Sequence, residues 1–458
     1  MCRYFRTVPV FIVKNDTELI VFSNFEDFYK MGNVGKVVDE VGFWEVVLFG
    51  SGLWTRTYYK DVKQMPGASK IVINKKTCNF KIARYWDFDI VEDQSIDSIE
   101  KAANGMYKIL NNLFSKIDKN NKYTMGLSGG LDSRITLAFL SKYIPKENLS
   151  LFTFGFNKKS VEYTYAIKVA KALGYYKPTY HNLDKNSYKK ALNYLPLMSG
   201  GLIGINHCHI MDVLDNIALN DRIQISTYYT DALFGYECTT KKSVKDVDDN
   251  YYTNLLAKYS DDIPVNIAKE IIKDAKMIYS GFHEDYNFSS LDEYKYLTER
   301  SQKFHFHLSY LQGLHGKFAA DSIYADYDLL KYTLSIPIKY RAQKKMIDFI
   351  INNKFKNIAS KEFKNISSRD FNGKSIGFAW SNKLLGMISW YTFRFINLLN
   401  VFFRVITRGH FQLFNKYQTE ELDRILYRDF QEDLRCATER FVKIGLMSAK
   451  QKKHWDKL

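Results

Sequence analysis

Ser128-Gly129-Gly130-Leu131-Asp132-Ser133 lies between a strand-like run, Lys122-Tyr123-Thr124-Met125-Gly126-Leu127, and a helical pattern that begins at Arg134. Two glycines let the backbone curl tightly, so successive N–H groups can turn inward on anionic oxygens. The helix that follows brings its partial positive end and its unsatisfied amides to the same place. Ser128 and Ser133 add hydroxyl donors, and Asp132 can hold a divalent cation between phosphate oxygens. No Gly-Lys-Ser/Thr follows, so the segment is not a Walker A loop. A plain strand-to-helix turn with Asp132 capping the helix is the alternative. The ordered set of serines, glycines and aspartate favours a nucleotide site.

Outward from this loop, residues 121–235 alternate strand and helix. Thr124–Leu127 leads into a helix through Lys142, and Leu149–Phe156 has the unbroken apolar character of a buried strand. Val161–Leu173 carries apolar residues at helical spacing and stops at Gly174. A helix over Met211–Leu219 and a strand over Arg222–Ser226 follow. Such alternation implies an α/β fold, a parallel sheet flanked by helices, with ligands beyond the carboxyl ends of the strands.

Residues 1–95 read as a small β-rich domain. Val8–Val13, Glu18–Phe22, Trp44–Phe49 and Ser69–Ile73 are short apolar or alternating runs, and Pro66-Gly67 marks a turn. Residues 96–118 are a helical connector that turns Ile109, Leu110 and Leu113 into packing. Residues 100–360 form the second domain, mostly helical after 240, with Lys241–Tyr252 as a charged loop. Residues 361–458 form a helical C-terminal region. Within it, Leu384 to Ile406 is apolar with a polar stripe at Arg394, Asn397, Asn400 and Arg404. Arg394 near its centre would cost a membrane-spanning helix about 2.5–3.5 kcal/mol. A helix buried against the protein or a partner is favoured over one lying on a membrane surface.

The chain of 458 residues is 46% hydrophobic and 25% charged, enough for sizeable cores and unlike a disordered polymer. A formal charge of +16 suits an anionic partner, or simply a lysine-rich surface. Five scattered cysteines without C-x-x-C spacing point to reduced thiols in a cytoplasmic protein, and no signal peptide is evident at the N-terminus. His207-Cys208-His209 and His305-Phe306-His307 lack companion ligands at zinc spacings.

The loop followed by Arg134 resembles the pyrophosphate loop of asparagine synthetase-type enzymes, which belong to the ATP pyrophosphatases of adenine nucleotide alpha hydrolase-like fold. Further segments fall in that family's order: Phe152–Phe156, then Glu162 and Ala166 ahead of Leu173-Gly174; Ser226 through Asp231-Ala232-Leu233-Phe234-Gly235-Tyr236; and Ala325–Leu330 up to Ser335-Ile336-Pro337. Upstream, Thr57, Pro66-Gly67 and Arg84-Tyr85-Trp86 resemble the passage between the family's two domains. The resemblance implies ATP and Mg2+ as cofactors. Ser128, Gly129, Gly130, Asp132 and Ser133 would hold the phosphates, with Leu127, Phe154 and Ser226 around the nucleotide and Asp132 and Asp231 on magnesium. A carboxylate would be adenylated and then attacked by ammonia or an amine. The family's transition-state lysine is assigned to Lys374, in Asn372-Gly373-Lys374-Ser375.

The chain also departs from the pattern. Cys2 is the candidate N-terminal nucleophile of a truncated glutaminase-like domain, but Arg3 stands where the family has glycine, and the glutamine-gripping motifs are not evident. Ala232 replaces the glutamate of an Asp-Glu pair and Tyr228-Tyr229 falls where glycines are usual, which points to a different substrate pocket. The leading reading is therefore an AMP-forming amide ligase whose partners are a carboxylate and an amine or ammonia donor, with no nucleic acid. The alternatives are a tRNA-modifying ATP pyrophosphatase and a non-catalytic or membrane-associated partner with a decayed synthetase fold.

Overall fold

The strand that feeds the glycine loop lies at the middle of the main sheet. A computed structural model describes residues 7–359 apart from short internal stretches and a longer one over 239–262; residues 1–6 and 360–458 lie outside the described residues. Lys374, Cys2, Lys241–Tyr252 and the Leu384–Ile406 segment therefore lie outside them too.

In chain order the amino-terminal part holds β1 (Phe11–Lys14), β2 (Leu19–Phe22), α1 (Phe25–Lys30), α2 (Glu40–Phe49), β3 (Val62–Gln64), β4 (Ser69–Ile73) and β5 (Phe80–Arg84). Strands β2-β1-β3 form one antiparallel sheet, and β4 pairs with β5 in a hairpin. Rings fill the space beneath the first sheet: Phe11 meets Phe25 edge-on at 4.6 Å, and Phe22 stacks on Phe28 at 5.4 Å. The turn at Gly67-Ala68 falls between β3 and β4, as Pro66-Gly67 implies.

The expected strand over Trp44–Phe49 is instead the second half of α2. A short apolar run does not by itself distinguish a buried strand from a buried helix. The deciding signal is Asp39, whose carboxylate accepts the N–H groups of Val41 (3.0 Å) and Gly42 (3.2 Å) and so caps the helix.

Helix α3 (Ile99–Ser115) starts at Ser98, whose hydroxyl accepts the Lys101 N–H at 3.2 Å. It buries Ala102, Ala103, Met106, Leu110 and Phe114, spaced as one face of a helix. Then come β6 (Lys122–Gly126), α4 (Leu131–Tyr143), β7 (Leu149–Gly155), α5 (Val161–Ala172) and β8 (Thr179–Asn182). Gly174 ends α5 with φ +76° while the Tyr175 N–H reaches the Ala170 carbonyl at 2.8 Å, the left-handed stop that the glycine implies. Next are α6 (Leu195–Ser199), α7 (His209–Asp215), β9 (Arg222–Ile225), α8 (Thr230–Leu233), α9 (Val265–Tyr279), α10 (Leu291–Lys295) and α11 (Phe306–Gly316). Strand β10 (Ala320–Asp321) and helices α12 (Tyr327–Ser335), α13 (Ile338–Arg341) and α14 (Lys345–Lys354) complete the described chain.

The main sheet has the order β10-β9-β6-β7-β8, and all its pairings are parallel. Alternate residues of β7 serve opposite faces. Leu149 and Leu151 join the large core with α3, α4 and α14, whereas Phe152 joins a second cluster with Met211 and Leu311. Helices thus cover both faces, as a parallel sheet requires. Asp326 and Pro337, read from the sequence as part of a family motif, prove to be helix punctuation: Asp326 caps α12 by accepting the Leu329 N–H at 2.9 Å, and Pro337 opens α13. Among the described residues, no helix is long and apolar enough to cross a membrane.

Phe139 of α4 stacks on Phe114 at 5.2 Å and meets Phe355 edge-on at 5.2 Å, so it ties the helical layer together. Replacing it (Phe139→Ala) is expected to remove about 3–5 kcal/mol of stability, read by chemical denaturation.

Candidate functional site

In a sheet wound this way, the loops leaving β6 and β9 diverge, because the chain runs outward to β7 and β8 before returning to the other side of β6. Such a reversal opens a crevice at the carboxyl ends of the strands. Here it is a cleft of about 200 Å³ bordered by Leu127, Ser128 and Ser133, by Phe154, and by Ser226 and Tyr228. Leu127, Ser128, Ser133, Phe154 and Ser226 were each expected at a nucleotide site, and the fold brings them to one crevice.

The loop is pre-formed by its own side chains. Ser133 Oγ accepts the Ser128 N–H at 3.1 Å and lies 2.9 Å from Ser128 Oγ, which in turn accepts the Gly130 N–H at 3.2 Å. The serines thus shape the loop as well as offering donors. Buried Arg134 braces it from below, donating to the Gly129 carbonyl at 2.7 Å. Burial pulls the Arg134 guanidinium down to about 10, partly offset by Asp348.

The glycines act differently from the tight curl expected of them. Neither Gly129 nor Gly130 is among the residues with positive φ. At Gly130 an added Cβ would meet only Ser128 Oγ, at 3.3 Å, so the bare backbone leaves room for a ligand to approach. Gly130 is also the N-cap of α4 and carries no side-chain cap, so the first amides of that helix stay available to an anion. Asp132 sits inside the first turn of α4 and is not its cap.

Asp132 and Asp231, the two carboxylates expected on magnesium, are joined through a residue that the sequence reading does not single out, Lys344. Lys344 Nζ donates to Asp132 Oδ2 at 2.6 Å and also to Asp231 Oδ1. The lysine side chain is only 3% exposed, whereas that of Asp231 is 44% exposed. Burial pushes Asp132 up to about 7, the attraction of Lys344 working against that and the repulsion of Asp231 adding to it. Burial also opposes the Lys344 ammonium, but the two carboxylates outweigh it and hold it above its ordinary value.

The backbone forces this meeting. Gly235 has φ +76°, and a Cβ there would approach the Arg341 carbonyl oxygen at 2.7 Å. Its own carbonyl accepts the Gln343 N–H at 2.9 Å. The segment after α8 is thereby locked to the turn that carries Lys344. That turn is anchored in turn by Arg341, fully buried, which donates to Glu293 and, at 2.7 Å, to the Asn287 carbonyl. Tyr229, ahead of Asp231, is buried with φ +79°, a left-handed conformation unusual for a bulky residue.

Asp132 Oδ1 is buried and receives no hydrogen bond. With the partly exposed Asp231 beside it, the pair offers the oxygen ligands that magnesium takes alongside substrate phosphates, so these residues fit that ion. The site as a whole is a loop that ends at an uncapped helix start, with a carboxylate–ammonium cluster beside it.

Residues 115–195 match the asparagine synthase family model, which sets the resemblance read from the sequence on the segment that holds the loop. An NH3-dependent NAD synthetase from Campylobacter jejuni, solved with nitrate, aligns over 46% of this chain and 96% of its own at 16% identity and a TM-score of 0.24. A glutamine-dependent NAD+ synthetase from Acinetobacter baumannii, solved with ADP, aligns over 49% of this chain and 50% of its own at 12% identity and a TM-score of 0.22. No curated protein matches the chain.

Gly235→Ala would force both a strained backbone and a contact with the Arg341 carbonyl. A loss of about 1–3 kcal/mol in denaturant unfolding is expected.

Proposed function

We propose that this chain is an ATP-dependent, AMP-forming amide ligase that adenylates a carboxylate and passes the acyl group to ammonia or an amine. The observation that carries the reading is the Lys344 ammonium held between Asp132 and Asp231 beside a pre-formed anion loop. The family match over residues 115–195 supports it independently.

In this reading the nucleotide lies across the strand ends, with its base bordered by the backbone at Leu127 and Phe154 and with Ser226 also lining the cleft. The amides of the 128–133 loop and the uncapped start of α4 take the phosphate oxygens. Asp132 and Asp231 would hold magnesium, which would neutralise charge on the departing pyrophosphate when bound. Lys344 is placed to stabilise negative charge on the phosphates as the α-phosphorus is attacked. The sequence pattern assigns this role to Lys374, which lies outside the described residues. Catalysis would rest on positioning and fixed charge, since the loop is held rigid by Ser133 and Arg134 before any ligand arrives.

Nucleophilic attack by a substrate carboxylate breaks the α–β phosphoanhydride and yields an acyl-adenylate with pyrophosphate. The amine then displaces AMP. Tyr228, which lines the cleft and receives a hydrogen bond from Gln312 at 3.0 Å, fills space that a glycine would leave open, which favours an acid other than aspartate.

ATP–pyrophosphate exchange across a panel of carboxylic acids tests the reading. Wild type should exchange with the right acid in a magnesium-dependent way, and Asp132→Asn should abolish it. Lys344→Ala should slow exchange about 10²–10³-fold with ATP binding retained. Undiminished exchange in Asp132→Asn would remove that carboxylate from the site.

A further inference from the structure

We infer that Lys344 is a resident cation which keeps divalent ions off the Asp132–Asp231 pair until a polyphosphate in the neighbouring loop draws its ammonium away. The inference rests on the reading of these two aspartates as the ion-holding carboxylates and adds an order of binding to it.

Three observations converge on this arrangement. Lys344 Nζ bonds one oxygen of each carboxylate, so it occupies the space between them that a bridging ion would need. One oxygen of the pair, Asp132 Oδ1, remains buried without a hydrogen bond. Finally, Gln343 and Lys344 are both left-handed, with φ +58° and +59°, in the turn immediately ahead of α14. Two consecutive non-glycine residues in that region are costly, and such residues cluster at active sites and ligand clamps.

The physical consequence is a competition. A divalent ion and an ammonium a few ångströms apart repel strongly in a partly buried setting. A free ion must therefore displace Lys344 and leave it buried without a counter-charge, which is costly. A polyphosphate seated on the 128–133 amides changes the balance, because its oxygens offer the ammonium a new partner and supply further ligands to the ion. The ion then enters with the nucleotide and not ahead of it.

Manganese(II) serves as the probe, its free concentration read by electron paramagnetic resonance on the full chain without nucleotide. Removing the charge in Lys344→Met, and in Lys344→Gln as a variant that can still hydrogen-bond the aspartates, is expected to tighten Mn2+ binding about tenfold or more. Adding Asp132→Asn to either variant should abolish the gain. Mn2+ should also raise the melting temperature of Lys344→Gln while leaving that of wild type unmoved. Equal Mn2+ affinity in wild type and both variants overturns the inference, as does a gain that survives Asp132→Asn. ATP binding by wild type in the absence of metal, followed by equilibrium dialysis, tests the nucleotide reading separately, so failure of one is told apart from failure of the other.

Discussion

Strand β6 has β7 on one flank and β9 on the other, and the chain visits those flanks in opposite directions. That reversal opens a gap between the loop after β6 and the loop after β9. Asp132 rides on the first loop's helix and Asp231 on the second loop's helix, so their approach follows from strand order and not from local sequence. Lys344 arrives from a third direction, the turn between α13 and α14. Three distant segments meet at one ammonium, and each needs its own support.

That support is polar and buried, which makes it demanding. Arg134 must reach the Gly129 carbonyl, Arg341 must find Glu293 and the Asn287 carbonyl, and Lys344 must find two carboxylates. A buried charge left without its partner would cost several kcal/mol. These networks add little net stability, yet they fix where the loops sit. The glycine at 235 completes the arrangement, because only a residue without a Cβ lets the chain pass the Arg341 carbonyl so closely.

Much of this is legible in the sequence itself. The loop, β6, α4, β7 and α5 follow from apolar runs bounded by glycines, and Gly174 ends its helix as its position implies. Short elements escaped: β8 is a polar edge strand, Thr-Tyr-His-Asn, and β10 has two residues, so neither has a hydrophobic period to read. Helix α2 escapes because its apolar run fits a strand as well as a helix, and only the Asp39 cap separates the two. At the site, the aspartates were found through their motifs. Lys344 was missed because it stands in a basic run, Lys339 to Lys345, with no glycine to mark it. Its place depends on two left-handed residues and on a buried arginine three positions before it, which are tertiary facts. Lys374 draws the assignment because it stands in a glycine-containing stretch, Asn372-Gly373-Lys374-Ser375.

On the proposed function, the bend from Ser128 to Ser133 grips the phosphates of a nucleotide at the strand-order reversal. Crystals grown with a non-hydrolysable α,β-methylene analogue of ATP and manganese test it most directly. The account predicts phosphate oxygens on the loop amides, an anomalous peak between Asp132 and Asp231, and the Lys344 ammonium turned toward phosphate. Nucleotide bound elsewhere, with Lys344 still joined to both aspartates and the loop holding no phosphate, would contradict it.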